Sequence, residues 1–232
     1  MPRLRPADRF ETLRRAALQV FARQGLRRAR MSDVARAAGL STGALYTYFA
    51  SKEALFDWLV VHGADPGPIA TPPCLPVPAP APGATEKHLR ESIARALHLP
   101  ALDAALARRR TGDARAELGA IVDELYDRIA RSRLPAAVIE RSARELPELF
   151  TIYYLETRRS LFERLARYLE RRARAGRLRR VAEPAVAARW IAESVTWFAR
   201  HRHGDADPSG LPDEDALRTQ VVALVVAGLV PD

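Results

Sequence analysis

A single cysteine, Cys74, in 232 residues leaves no pair for a disulfide framework and no multi-cysteine zinc site. No apolar run approaches the ~18 residues that a membrane-spanning helix requires, so no membrane partner is expected. Twelve glycines and the lack of alternating β-branched runs argue against a sheet protein. Lysine is almost missing. Only Lys52 and Lys87 occur, so nearly every cation is an arginine. The start, MPRLRPADRF, has no apolar stretch behind its arginines and does not read as a secretory signal, which makes the cytoplasm the expected location. Hydrolase, metalloprotease and nucleotide-binding motifs (G-x-S-x-G, S-x-x-K, H-E-x-x-H, Walker A, G-x-G-x-x-G) are missing too, and neither an enzyme nor a cofactor is expected.

What is present points to helices. Hydrophobic residues make up 48% and charged ones 28%, enough to bury a core. Alanine, arginine and leucine dominate, all good helix formers. The formal net charge is +9, and it is unevenly placed. Residues 1–62 hold eleven Lys/Arg against five Asp/Glu, while residues 63–232 hold 26 against 23. A basic module joined to a nearly balanced body is the electrostatic footprint of a nucleic-acid binder, although a charged solvated face gives the same count.

Three sections follow from the pattern. Residues 1–62 read as a compact run of short helices. Residues 63–84 carry eight prolines and cannot be helix or central strand, so they read as a linker or long loop. Residues 85–232 return to helical periodicity. Stops are expected at Gly112 behind Arg108, Arg109 and Arg110, at Gly176, and at Gly204. Pro135, Pro147 and Pro184 fit first helical positions, and Asp213 fits an N-cap. Leu161, Leu165 and Leu169 form one stripe, and Trp190, Ser194 and Trp197 lie along another face. The last helix, with Leu217, Val221, Val222, Leu224, Val225, Val226 and Leu229, is apolar nearly all round and needs cover on most sides.

The informative stretch is RRARMSDVARAAGLSTGALYTYFASKEALF, residues 27–56. Before it, Phe10, Leu13, Ala17, Val20 and Phe21 make a helical stripe. Met31, Val34, Ala35 and Ala38 give two turns of helix, which Gly39 can close in the left-handed region. Ser41 is an N-cap, and Leu40 can pack on Leu45 across it. A second short helix is expected from Thr42 to about Phe49. Short helix, glycine turn and capped short helix make a helix-turn-helix. The first turn of the second helix is Thr42, Gly43 and Ala44, small enough to let its backbone approach another surface. Tyr46 and Tyr48 follow, and Ser51 and Lys52 open the next helix with free N–H groups and an ammonium, a phosphate-binding combination.

The segment AAGLSTGALYTYFASKEALF resembles the recognition segment of TetR-type (tetracycline-repressor-like) bacterial transcriptional regulators. The resemblance covers about residues 9–62. It implies an all-α chain: a three-helix helix-turn-helix DNA-binding domain, then a larger helical effector-binding and dimerisation domain. It further implies that Thr42, Gly43 and Ala44, behind the Ser41 cap, face bases, and that Arg30, Tyr46, Tyr48 and Lys52 hold phosphates. Operator DNA, a second copy of the chain and a small-molecule effector are the implied partners. In the family the fourth helix transmits the effector signal, and the last two helices pair with their mates in a four-helix bundle. Two departures stand out. Ala29 occupies a position where the family often has a capping threonine, and the proline-rich stretch is longer than the connection usual after the fourth helix.

Other groups have weaker claims. Arg3, Arg5 and Arg9 form either an arm along a groove or a charged terminus. His201, His203, Asp205 and Asp207 read as a polar loop rather than a metal site. Tyr126, Tyr153 and Tyr154 could offer polar points to an effector pocket, and Glu156 and Arg158 line a pocket or a solvated face. A helical ligand-binding protein or enzyme with an incidental basic N-terminus is the competing reading.

Overall fold

The computed structural model describes residues 6–64, 67, 69–108, 112–207 and 209–231. Arg3, Arg5, Arg109 and Arg110 lie outside the described residues. The regular elements among the described residues are helices: α1 (Pro6–Arg28), α2 (Met31–Ala37), α3 (Thr42–Tyr46), α4 (Lys52–His62), α5 (Ala84–Ala96) and α6 (Pro100–Ala107) come first. They are followed by α7 (Ala114–Arg131), α8 (Arg133–Ala143), α9 (Pro147–Phe150), α10 (Arg159–Arg174), α11 (Pro184–Ala199) and α12 (Glu214–Leu229). A π-helix, Thr151–Arg158, joins α9 to α10. No strand forms among these residues, and the one extended pairing is an isolated parallel bridge between Phe49 and Val77.

Two compact units result. One holds the described residues up to Arg95 together with Leu134–Glu156; the other holds Ala96–Arg133 together with the described residues from Thr157 onward. The units do not follow the expected cuts at 62 and 84. Ile69 of the proline-rich segment is buried in the core of the first unit, Val77 packs on that core, and α5 adds Leu89. Residues 134–156 join the same core through Val138, Ile139, Leu149 and Ile152, far along the chain from the helices they cover.

In the first unit, the stripe Phe10, Leu13, Ala17, Val20 and Phe21 is buried along α1. Gly25 interrupts α1 at φ +76°. A Cβ there would also meet Arg141 Cγ at 3.3 Å, so both backbone and space select glycine. The Leu26 N–H, just past this break, donates to Ser142 Oγ at 3.2 Å. Phe10, Phe49 and Trp58 form an aromatic cluster with ring centroids 5.2–6.3 Å apart. Helix α5 is tied on by Ser92 Oγ, which donates to the Val60 carbonyl at 2.6 Å, and by His88 Nδ1 against Asp57 Oδ1 at 2.9 Å. Tyr153 is buried, and its hydroxyl donates to Glu140 Oε1 at 3.0 Å.

In the second unit, α7, α10, α11 and α12 pack around Leu118, Ile121, Leu125, Leu165, Leu169, Ile191, Val195, Val221 and Val225. The buried Arg172 (1% exposed) is the exception to an apolar interior. Its guanidinium grips Glu117 with two bonds of 2.6 and 3.0 Å and donates to the Ala105 carbonyl at 2.7 Å, so the charge is fully paired. Glu214 gathers the Tyr126 hydroxyl, Arg133 and Arg202. Burial and this carboxylate push the Tyr126 phenol up to about 12.

Several boundaries differ from those expected. Helix α6 ends at Ala107, and neither Gly112 nor Gly204 takes a positive φ, so neither is a left-handed cap; Gly176 does, at +68°. Helix α11 stops at Ala199, before a 3-10 turn over His201–Gly204. Pro135 falls at the third residue of α8 rather than the first. The span from Pro147 to Gly176 holds a π-helix in the middle. Asp213 does cap α12, accepting from the Ala216 N–H at 2.9 Å.

Candidate nucleic-acid interface

The second short helix is shorter than its periodicity suggests. Helix α3 covers Thr42–Tyr46, and Thr47 to Phe49 leave it through a tight turn with bonds back to Ala44 and Leu45. Five residues cannot hold a helix by themselves. What holds it is local chemistry at the start and packing underneath. Gly39, at φ +68°, reverses the chain after α2. Ser41 Oγ accepts from the Ala44 N–H at 3.1 Å, closing the N-cap. Leu45 and Phe49 are completely buried, and Leu40 packs against the same core.

The outer face of α3 is then set. Thr42 and Gly43 are exposed and Ala44 half-buried. Gly43 has a normal helical φ, and a Cβ added there would meet nothing within 4 Å. Inside the chain, therefore, nothing requires a glycine at this position, although a helical glycine costs about 0.5–1 kcal/mol against alanine. Tyr46 is exposed (47%). Tyr48 is half-buried, its ring edge-on to Phe10 at 5.7 Å, so its apolar part is structural.

Lys52 opens α4, where Ser51 Oγ accepts from the Ala54 N–H at 3.0 Å. The Lys52 ammonium donates to the Arg27 carbonyl at 3.2 Å, which draws the charged end of α4 to the end of α1. Arg27, Arg28 and Arg30 are all exposed near that junction. Arg28, itself exposed, lies 3.5 Å from the half-buried Glu145. Arg30 is the N-cap residue of α2, with extended backbone and no capping side-chain bond. The cap position thus falls on Arg30 rather than on position 29, and Ala29 is buried in the core. Thr42, Gly43, Ala44 and Tyr46 share one short helix; Lys52 sits on the next, and Arg30 precedes the one before. The part played by the Arg27 carbonyl has no signal in the sequence, because it depends on how α1 meets α4.

Elsewhere, two of the tyrosines with a possible pocket role are engaged: Tyr126 on Glu214 and Tyr153 on Glu140. Glu156 pairs with Arg90 at 2.9 Å, and Arg158 with Glu193. His203 lies 3.5 Å from Glu214. No group of three or more metal-ligating side chains occurs among the described residues.

A capped short helix held on a glycine turn, with a basic rim, is the architecture of helix-turn-helix DNA-binding regulators. The family comparison gives the same class. Residues 13–59 match the family of bacterial regulatory proteins named for tetR, and residues 114–223 match the C-terminal domain of AefR-like transcriptional repressors. The chain belongs to the TetR family of transcriptional regulators. The HTH-type transcriptional regulator LuxR of Vibrio harveyi is 38% identical over 60 residues, covering 26% of this chain and 29% of LuxR. The alignment therefore spans less than a third of that relative. Among solved structures, the ketosteroid transcriptional regulator KstR2 of Mycobacterium tuberculosis superposes with a TM-score of 0.58 at 21% identity, over 97% of this chain and 96% of KstR2. AibR in complex with isovaleryl coenzyme A and operator DNA gives 0.56 at 14% identity, over 94% and 98%. These likenesses establish the shared fold.

Proposed function

We propose that the protein is a one-component repressor whose homodimer holds a pseudo-palindromic operator and lets go when a small molecule binds. Residues 1–62 would read DNA, residues 63–84 would connect, and residues 85–232 would carry dimerisation and the effector site. Gly43 carries the reading: an exposed helical glycine with empty space around it is explained by a surface outside the chain that approaches the backbone. In a groove-reading helix that surface is the edge of the bases. Thr42, Gly43 and Ala44 then meet bases, and Ser41 fixes the helix that presents them. Arg30, Tyr46, Tyr48 and Lys52 grip phosphates and set the register.

A second copy is the natural cover for α11 and α12. Val186, Trp190 and Trp197 are exposed on one stripe of α11 (Trp190 54%), and Leu224 is 57% exposed on α12. Burying what remains exposed of each such side chain contributes on the order of 1 kcal/mol. Two-fold symmetry of the protein would be mirrored in the operator. AibR, of the same fold, holds isovaleryl coenzyme A and operator DNA in one complex, which supports a small-molecule site in this fold beside the DNA-binding one. Release is a population shift, and the effector must prefer the non-binding dimer by a few kcal/mol. No catalytic activity, metal or cofactor is assigned. No described helix is long and apolar enough to cross a membrane, and action in the cytoplasm, where the operator is, belongs to this reading.

The division of roles is tested by variants. Lys52→Ala should weaken binding to every duplex and reduce the log–log salt slope by about one. Tyr46→Phe should weaken all duplexes with the slope unchanged, since no charge is lost. Thr42→Val or Ala44→Ser should instead change which sequences are preferred. Equal loss from all four on all sequences would contradict the assignment.

A further inference from the structure

Helix α3 ends without partners of its own for every main-chain group. After the turn at Thr47–Phe49, the Tyr48 carbonyl and the Ala50 N–H point away from the helix. Both are met by one residue of the proline-rich segment. The Val77 N–H donates to the Tyr48 carbonyl at 2.8 Å, and the Ala50 N–H donates to the Val77 carbonyl at 2.9 Å. This is the isolated bridge between Phe49 and Val77.

The sequence around Val77 suits this single task. Pro76 and Pro78 flank it, so Val77 holds the one N–H in that tripeptide. Pro78 keeps Val77 out of the helical region, in the extended conformation that the bridge needs. The Val77 side chain packs on the core, and Ile69, eight residues earlier, is buried in it, so the segment is anchored on both sides of Cys74. The bridge falls on Phe49, the last residue of the α3 turn, two residues before Ser51, the cap of α4. It therefore fixes the joint between Tyr46, which precedes it, and Lys52, which follows it.

We propose that Val77 is a positioning residue for DNA binding: its main chain clamps the exit of the recognition helix. The proposal rests on the DNA-binding reading above. Fixing the joint sets the spacing between the base-facing turn of α3 and the ammonium of Lys52, which must engage one duplex together. A clamp of this kind affects operator recognition more than loose electrostatic attachment, because only the former demands a single geometry.

Val77→Pro removes the N–H, while Val77→Ala keeps both main-chain bonds. Wild type and both variants are titrated with a selected operator and a scrambled duplex across salt, with helical circular dichroism as the folding control. Val77→Pro is expected to lose about tenfold in operator affinity, the equivalent of one hydrogen bond. Val77→Ala should stay within about threefold, and scrambled-duplex binding and its salt slope should be unchanged in both. A folded Val77→Pro that holds the operator as wild type does overturns the clamp while leaving the regulator reading intact. A wild type that selects no operator overturns both. Should Val77→Pro not fold, amide exchange in the wild type decides: slow exchange at Ala50 supports the clamp, and exchange as fast as an open loop contradicts it.

Discussion

Gly43 puts stability and function in opposition. Its backbone is compatible with alanine and the space around it is empty, so Gly43→Ala should raise stability by about 0.5–1 kcal/mol. If bases approach this backbone, the same methyl should weaken operator binding by an order of magnitude or more. Thermal unfolding and operator titration on one preparation read both signs; a variant that gains stability and binds unchanged would remove the argument for close approach. A second residue-scale outcome concerns pH. His203 is held below its ordinary value of 6.5 by burial and by the neighbouring Arg133 and Arg202. Burial alone would raise Glu214, but the Tyr126 hydroxyl and the two arginines outweigh it and hold it low. Both groups take up a proton more readily in the unfolded chain, so both contribute stability that is lost on acidification. The loss starts below pH 6.5 through His203 and continues below 4.5 through Glu214. His203→Gln should flatten the fall in melting temperature between pH 6.5 and 5, and an unchanged slope would show that His203 has no part in it. Local chemistry is also the most legible at this scale. The caps Ser41 and Asp213 and the turn at Gly39 each depend on residues within three or four positions. Lys52 stands out in the sequence as a cation, but its bond to the Arg27 carbonyl depends on packing and carries no local signal.

At the scale of elements, length is less legible than existence. The repeat of apolar residues from Leu40 to Phe49 suggests a helix to Phe49, yet α3 stops at Tyr46, because Leu45 and Phe49 bury equally well through a tight turn. Leu161, Leu165 and Leu169 give a correct stripe for α10, but nothing in the pattern marks the π-helix before it. The proline-rich segment reads as a linker for sound reasons, since proline forbids helix. Its packing through Ile69 and Val77 emerges only in the fold. The buried pair in the second unit offers a test of how its elements are tied. Removing Glu117 leaves the buried Arg172 charge without its carboxylate, and Glu117→Ala should destabilise by about 3–5 kcal/mol in denaturant unfolding. A loss under about 1 kcal/mol would mean that the guanidinium reaches water. The exposed stripe on α11 makes an equally direct case. Trp190→Glu should shift the protein from dimer to monomer in sedimentation and weaken operator binding with it, whereas an intact dimer would place the interface elsewhere.

For the whole molecule, the charge asymmetry is legible in the sequence alone: the first 62 residues carry twice the net positive charge of the rest. That excess lies on the unit that holds the helix-turn-helix, with Arg27, Arg28, Arg30 and Lys52 beside its short helices. The return of residues 134–156 to cover the same unit is not legible there. Distant segments meet only through tertiary packing, for which one chain carries no periodic signal. The central claim, sequence-specific binding by a two-fold dimer, is tested most directly by selecting bound duplexes from a random library with the full chain and retitrating them across salt. A pseudo-palindromic motif is expected, with a log–log salt slope reflecting about 6–10 phosphate contacts. Binding with no enriched sequence, in protein freed of any small molecule carried through purification, would contradict it.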